Sequence, residues 1–300
     1  MFYKNNWLTW YYDDVEYGPK TTLTSKFDLK IKPTITRPVK SYKEELLLNT
    51  SLIRDSFSEP FDLLFSGGGD SELVLRCHHH LKIPINVFVF RYENNYNLPD
   101  VTHALKICEE LNITPKVIDF NLKHFFENNA YDIWTTGYYL NGGRLPHMKM
   151  IEYLDNMPIM CDGDSYWSFD NNEWRFELDE QCHSQAIYCK TTQRPMITDW
   201  CEYSPEIIIA HMNHPVIQDL MQGPATYKKY IETKYVLYNT LWDSIKIRPK
   251  YVGYEGSLPP GLNSSKPEFM LEFNKQHTVH LVNTCFDYSK QDLINALYSL

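Results

Sequence analysis

Residues 61–81 run FDLLFSGGGDSELVLRCHHHL, an apolar stretch that breaks into three consecutive glycines and restarts with a different period. Phe61, Leu63, Leu64 and Phe65 suit a short buried strand, whereas Leu73, Val74, Cys77 and Leu81 recur at the three-to-four-residue spacing of one helix face. Between them lie Ser66, Gly67, Gly68, Gly69, Asp70 and Ser71. A strand that turns through glycines into a helix start converges unpaired N–H groups and the positive end of the helix dipole on one point, which favours an anion and above all phosphate. The glycines permit close backbone approach, and Asp70 is placed to hold the metal ion that accompanies a polyphosphate. A Gly-rich surface turn would account for the glycines but not for the strand and helix patterns on both flanks.

Outward from this stretch, Ser41 is expected to cap a helix reaching about Phe57, and Pro60 forces an extended entry into the first strand. Downstream, Ile85 to Phe90 predicts the next parallel strand, ending near Arg91. Ligands of open parallel sheets sit beyond the carboxyl ends of the strands, so Val89 and Phe90 are expected beside a nucleotide base. Asp100 is expected to cap an amphipathic helix carrying Val101, Ala104, Leu105, Cys108 and Leu111. Lys116 to Phe120 is a third strand. A Pro146-started helix feeds a fourth, Met157 to Cys161, where Pro158 predicts an irregular or edge position. Strands alternating with helices at this spacing predict an α/β fold, a doubly wound and mostly parallel sheet, over residues 41–165. Residues 1–40 form a strand-rich N-terminal extension. Residues 166–300 are expected to be helix-rich, with helices at 207–212, 227–241 and 291–297, and to complete the active site.

Composition narrows the function classes. The chain has 300 residues, 43% hydrophobic and 15% aromatic, enough for a substantial core, and its formal charge is −9 without a long Lys/Arg run. A broad electrostatic footprint for nucleic acid or an anionic membrane is therefore absent, although a small RNA site stays open. No leader pattern and no bilayer-length apolar run occur, and the chain reads as soluble and cytoplasmic. Seven cysteines without tight spacing fit reduced thiols better than a disulfide framework. Cys182, His183, Cys189 and Cys201 lack a Cys-x-x-Cys hook for zinc. His78, His79 and His80 point about 100° apart on a regular helix, so they cannot converge on one ion.

The loop is not a Walker A sequence, because no Gly-Lys-Ser/Thr follows, and the third glycine of a dinucleotide-binding turn is missing. Ser66 to Ser71 instead resemble, at every position, the Ser-Gly-Gly-x-Asp-Ser signature of the PP-loop ATP pyrophosphatases, with Gly69 in the variable slot. The order of elements over roughly residues 45–255 resembles the synthetase domain of asparagine synthetase. Cys161, Asp162, Gly163, Asp164 and Ser165 look like that family's second acidic loop. The resemblance implies a proton-handling role for Asp162 and a metal role for Asp164, although the acid is shorter and the metal ligand shifted. Arg194 to Asp199 is similar to the family's Val-Pro-Phe-Leu-Asp stretch. Arg248 and Lys250 look like its late Arg-x-Lys segment, whose lysine reaches the phosphates.

The resemblance implies an ATP-dependent, AMP- and pyrophosphate-forming C–N ligase that adenylates a carboxylate and transfers it to an amine or ammonia. Its cofactors are ATP and Mg²⁺. Ser66, Gly67, Gly68, Gly69 and Ser71 are expected at the pyrophosphate, Asp70 and Asp164 at the metal, Lys250 and Arg248 at the leaving charge, and Asp162 at the amine proton. Arg144 is a candidate anchor for an acidic substrate. With Phe2 following Met1, the cysteine that opens the family's glutaminase domain is missing, so nitrogen is expected from ammonia, another amine or a separate ammonia-supplying subunit. Two alternatives stand beside this: a PP-loop enzyme modifying a nucleobase in tRNA or DNA, and a catalytically inactive nucleotide-binding partner protein.

Overall fold

A computed structural model describes residues 7–22, 24–57, 60–137, 145–161, 166–170, 172–194, 196–197, 200–245, 268–277 and 285–298. The N-terminal part holds β1 (Leu8–Tyr12), β2 (Val15–Glu16), β3 (Phe27–Ile31) and α1 (Tyr42–Ser56). Then come β4 (Phe61–Leu64), α2 (Gly69–Leu81), β5 (Ile85–Tyr92), α3 (Leu98–Glu110), β6 (Lys116–Phe120), α4 (Leu122–Asn128), α5 (Ala130–Gly137), α6 (Leu145–Met150) and β7 (Met157–Ile159). The remainder carries β8 (Tyr166–Asp170), β9 (Glu173–Asp179), α7 (Glu180–Thr191), α8 (Pro205–Asn213), α9 (Pro215–Leu220), α10 (Tyr227–Leu241), α11 (Glu268–His277), β10 (Cys285–Ser289) and α12 (Lys290–Tyr298).

The four strands expected from the apolar runs form one sheet in the order β6-β5-β4-β7, all pairs parallel. Side chains alternate across it. Leu63, Val87 and Val89 join a core with α1, α2, α3, α8 and α10, whereas Phe88, Phe90 and Tyr92 join another with α4, α5, α6, α7 and α11. Helices therefore cover both faces, as a parallel sheet requires. The chain steps from β4 to β5 to β6 and then returns to place β7 on the other side of β4. That reversal makes a crevice between the carboxyl ends of β4 and β7, the usual ligand position in such sheets. Asp62, fully buried at the opposite end, accepts from the Asp155 and Asn156 amides and from the side chains of Asn86 and Asn156, all at 2.8–2.9 Å. It ties the starts of β4, β5 and β7 together.

Local signals explain most boundaries. Ser41 and Glu44 form the reciprocal capping box that starts α1. Pro158 has no N–H to give and sits on the outer strand, where its carbonyl accepts from Ile197 at 2.9 Å. The cap of α3 is Asn97 rather than Asp100, which falls in the first turn behind Pro99. Asn97 lies over the end of β5 instead, accepting from Tyr92 N and donating to Phe90 O, both at 2.8 Å.

Beyond residue 166 the chain is helix-rich, with α8, α10 and α12 where helices were expected, but it also holds a sheet that the sequence reading did not foresee. β9 alternates Trp174, Phe176 and Leu178 inward, a period-two pattern, and pairs antiparallel with β8 and β10. The β2-β1-β3 sheet packs in the same core as this second sheet, with Trp10, Phe27 and Leu29 joining Trp167, Phe176 and Leu178. No helix among the described residues is long and apolar enough to cross a membrane.

Candidate functional site: the loop at the end of the first parallel strand

Ser66 to Ser71 leave the carboxyl end of β4 and enter α2, and Gly67 and Gly69 each answer a steric demand. Gly67 has φ +70°, and a Cβ there would lie 2.8 Å from the backbone nitrogen of Ala104 on α3, so neither conformation nor space admits a side chain. At Gly69 an added Cβ would meet Cε1 of Tyr235 at 2.8 Å. Gly68 caps α2 without a side-chain hydrogen bond, so the cap residue itself consumes none of the first helical amides. The loop's own serines set its shape. Gly68 N donates to Ser66 Oγ at 3.2 Å, Ser71 Oγ donates to Gly68 O at 3.1 Å, and the two hydroxyls lie 3.3 Å apart.

Asp70, in the first turn of α2, is met by two side chains from α10. Lys234 Nζ lies 3.0 Å from its Oδ1, and the Tyr238 hydroxyl donates to the same oxygen at 2.8 Å. Lys234 and Tyr238 are four residues apart and so share one helix face. The lysine side chain is only 7% exposed, against 24% for Asp70. A buried lysine paired with Asp70 thus stands beside a helix start, and a helix start favours an anion. The sequence readings above did not single out Lys234 or Tyr238. Their signal was present: Lys234 lies on the stripe formed by Tyr230, Leu237, Tyr238 and Leu241, where a charged residue without a partner would be costly.

The other expected residues divide into two groups. Val89 and Phe90 continue the β4–β5 register past Leu64 and Phe88, alongside Phe65 and the start of the loop. Their side chains are buried, Val89 in the core beneath α2 and α3, Phe90 edge-to-face with Phe120 and Tyr153. Arg144, Asp162, Asp164, Arg248 and Lys250 lie outside the described residues. Cys161, just before Asp162, lies two residues past the end of β7, on the crevice side of the sheet.

Among the described residues, no three His, Cys, Asp or Glu side chains are grouped to hold a metal ion. Mg²⁺ commonly takes one or two carboxylates together with phosphate oxygens and water, and Asp70 fits the part of one such carboxylate. Cys189 and Cys201 belong to separate cores, which counts against a shared zinc site; the side chains of Cys182 and His183 lie outside the described set. His78 is buried, its Nδ1 2.9 Å from Val74 O, while His79 and His80 are exposed, so the three histidines do not act together.

No family model and no curated protein matches the chain. Among solved structures, the NMN synthetase from Francisella tularensis aligns over 80% of this chain and 94% of its own at 15% identity, with a TM-score of 0.31. The NH3-dependent NAD synthetase from Campylobacter jejuni subsp. jejuni, solved with a nitrate ion, aligns over the same shares at 14% identity, with a TM-score of 0.33. Superpositions this loose transfer neither fold nor activity, and the α/β class rests on the chain's own parallel sheet with helices on both faces.

Proposed function

We propose that this chain is an ATP-dependent ligase that forms AMP and pyrophosphate, adenylating a carboxylate and passing the acyl group to an amine or ammonia. The observation that carries this reading is the loop from Ser66 to Ser71, which has every signature position, lies at the sheet's switch point and holds its aspartate against a buried lysine.

A pyrophosphate leaving group gains negative charge as the bond between the α- and β-phosphates breaks, and preorganised donors are most effective at that moment. The amides at the start of α2 and the hydroxyls of Ser66 and Ser71 supply such donors, and Lys234, paired with Asp70, is held beside them by α10. Asp70 would be one carboxylate ligand of a magnesium ion, which when bound would polarise the phosphate oxygens. The end of β5 at Val89 and Phe90 borders the nucleotide side through its backbone. From the sequence resemblance, Arg248 and Lys250 add positive charge at the phosphates, Asp164 joins the metal, Asp162 takes the amine proton and Arg144 anchors an acidic substrate.

The test is turnover on substrate pools. Purified protein is incubated with ATP, Mg²⁺ and separate pools of amino acids, polyamines and nucleic acids, and new products are weighed by mass spectrometry. An amide, the sum of a carboxylate and an amine less one water, formed in step with pyrophosphate is expected. A modified nucleobase with no amide would replace the proposal with the nucleobase-modifying alternative.

A further inference from the structure

Cys161 and Cys201 approach each other at the edge of the parallel sheet, Sγ to Sγ 3.2 Å, although forty positions separate them in sequence. Their backbones are held independently of that contact. On one side Ile159 bridges Ile197, with Met160 N donating to Ile197 O at 3.0 Å and Ile197 N donating to Pro158 O at 2.9 Å. On the other, Trp200–Glu202 form a 3-10 turn whose carbonyls are gripped from two directions. Asn49 Nδ2 donates to Trp200 O at 2.9 Å, and Trp7 Nε1 donates to Glu202 O at 2.8 Å. Cys201 is buried, whereas Cys161 is half-buried and reachable from solvent. A disulfide needs its sulfurs at about 2.05 Å, so closure asks for roughly 1 Å of sulfur movement, within the reach of side-chain rotation.

We infer that Cys161 and Cys201 are a redox-active dithiol that closes reversibly to a disulfide, linking the end of β7 to the turn at Trp200–Glu202. The oxidant is a small-molecule disulfide of the glutathione class. The Cys161 thiolate attacks one of its sulfurs, forming a mixed disulfide and releasing one small thiol. The Cys201 thiolate then attacks the Cys161 sulfur and releases the second. Two protein thiols lose two protons and two electrons, and the small disulfide becomes two thiols. Cys77, the third thiol near this edge, is fully buried beneath Thr50, and burial pushes its thiol far up, so it stays out of the exchange. On the ligase reading, the link closes at the root of the stretch carrying Asp162 and Asp164. The link itself is independent of that reading.

The test uses the full chain and needs no substrate. Protein equilibrated in graded mixtures of oxidised and reduced glutathione is quenched in acid, denatured, alkylated with iodoacetamide and weighed. Of its seven cysteines, five should carry the label at the oxidising end and all seven at the reducing end. Peptide mapping should join Cys161 to Cys201, and Cys201→Ser should instead trap a glutathione adduct on Cys161. Seven labels throughout, a link between any other pair, or a wild-type protein that stops at the glutathione adduct would overturn the inference. Because the readout is mass, a failure of ATP turnover leaves it untouched, and the converse also holds.

Discussion

Lys234 of α10 places its ammonium 3.0 Å from the Asp70 carboxylate of α2, and Tyr238, one turn further along α10, donates to the same oxygen at 2.8 Å. An acid that we propose for metal and phosphate chemistry is thereby held by a helix outside the loop signature. Lys234→Met should lower AMP formation by about two to three orders of magnitude, the scale for losing a preorganised charge at a developing anion. Tyr238→Phe, which removes one neutral donor to Asp70, should cost about tenfold. Steady-state rates at saturating carboxylate and amine read both, and equal effects from the two would deny the lysine its separate role.

The two glycines should rank differently when given a methyl group. At Gly67 the clash is with the backbone of Ala104 and φ is +70°, so nothing inexpensive can move; at Gly69 the clash is with the ring of Tyr235. Gly67→Ala is expected to destabilise by more than Gly69→Ala, whose cost should be about 1–3 kcal/mol. Tyr235→Leu added to Gly69→Ala should recover part of that loss but add nothing favourable to Gly67→Ala. Urea denaturation of the five proteins, wild type included, checks the order.

The parallel sheet was legible because its strands are near-continuous apolar runs flanked by turn residues, and its helices carry clean stripes such as Val101, Ala104 and Cys108. The loop was legible because glycines with acid and hydroxyl neighbours are rare at a strand–helix junction. Lys234 was hidden by distance: nothing local to α10 says that Asp70 packs on it. β9 was hidden by its charges, since Glu173, Arg175, Glu177 and Asp179 alternate with the buried Trp174, Phe176 and Leu178 and make a two-residue period resemble a polar segment.

Within α2, Arg76 is buried and donates to Glu72 at 2.8 Å while also reaching Glu110 of α3 at 3.1 Å. Glu72→Ala leaves a buried guanidinium with only the half-exposed Glu110, and should cost about 3 kcal/mol. Replacing the inner pair with Glu72→Leu and Arg76→Met should cost markedly less, because the guanidinium is removed together with its carboxylate. Thermal midpoints of the single and double variants decide it.

Burial holds His78 down to about 4 and His211 down to about 3, below the ordinary imidazole value near 6.5; Lys234 and His214 repel a proton from His211 as well. Below about pH 6.5 the unfolded chain takes up protons at these two positions while the folded chain does not, until pH nears 4. The unfolded state therefore binds more protons in that window, so the stability these histidines allow at neutral pH is lost as pH falls from about 6.5 towards 4. His211→Leu should flatten that part of the stability–pH curve, measured by urea midpoints between pH 7 and 4.5.

The most direct measurement follows ATP labelled on its α-phosphate through the wild-type protein and Asp70→Ala, in the presence of the substrate pools, with products separated by thin-layer chromatography. Labelled AMP from the wild type, matched by pyrophosphate and absent from a folded Asp70→Ala, is the predicted result. Labelled ADP, or AMP formed equally by the variant, would contradict the assignment of Ser66 to Ser71 as a pyrophosphate loop.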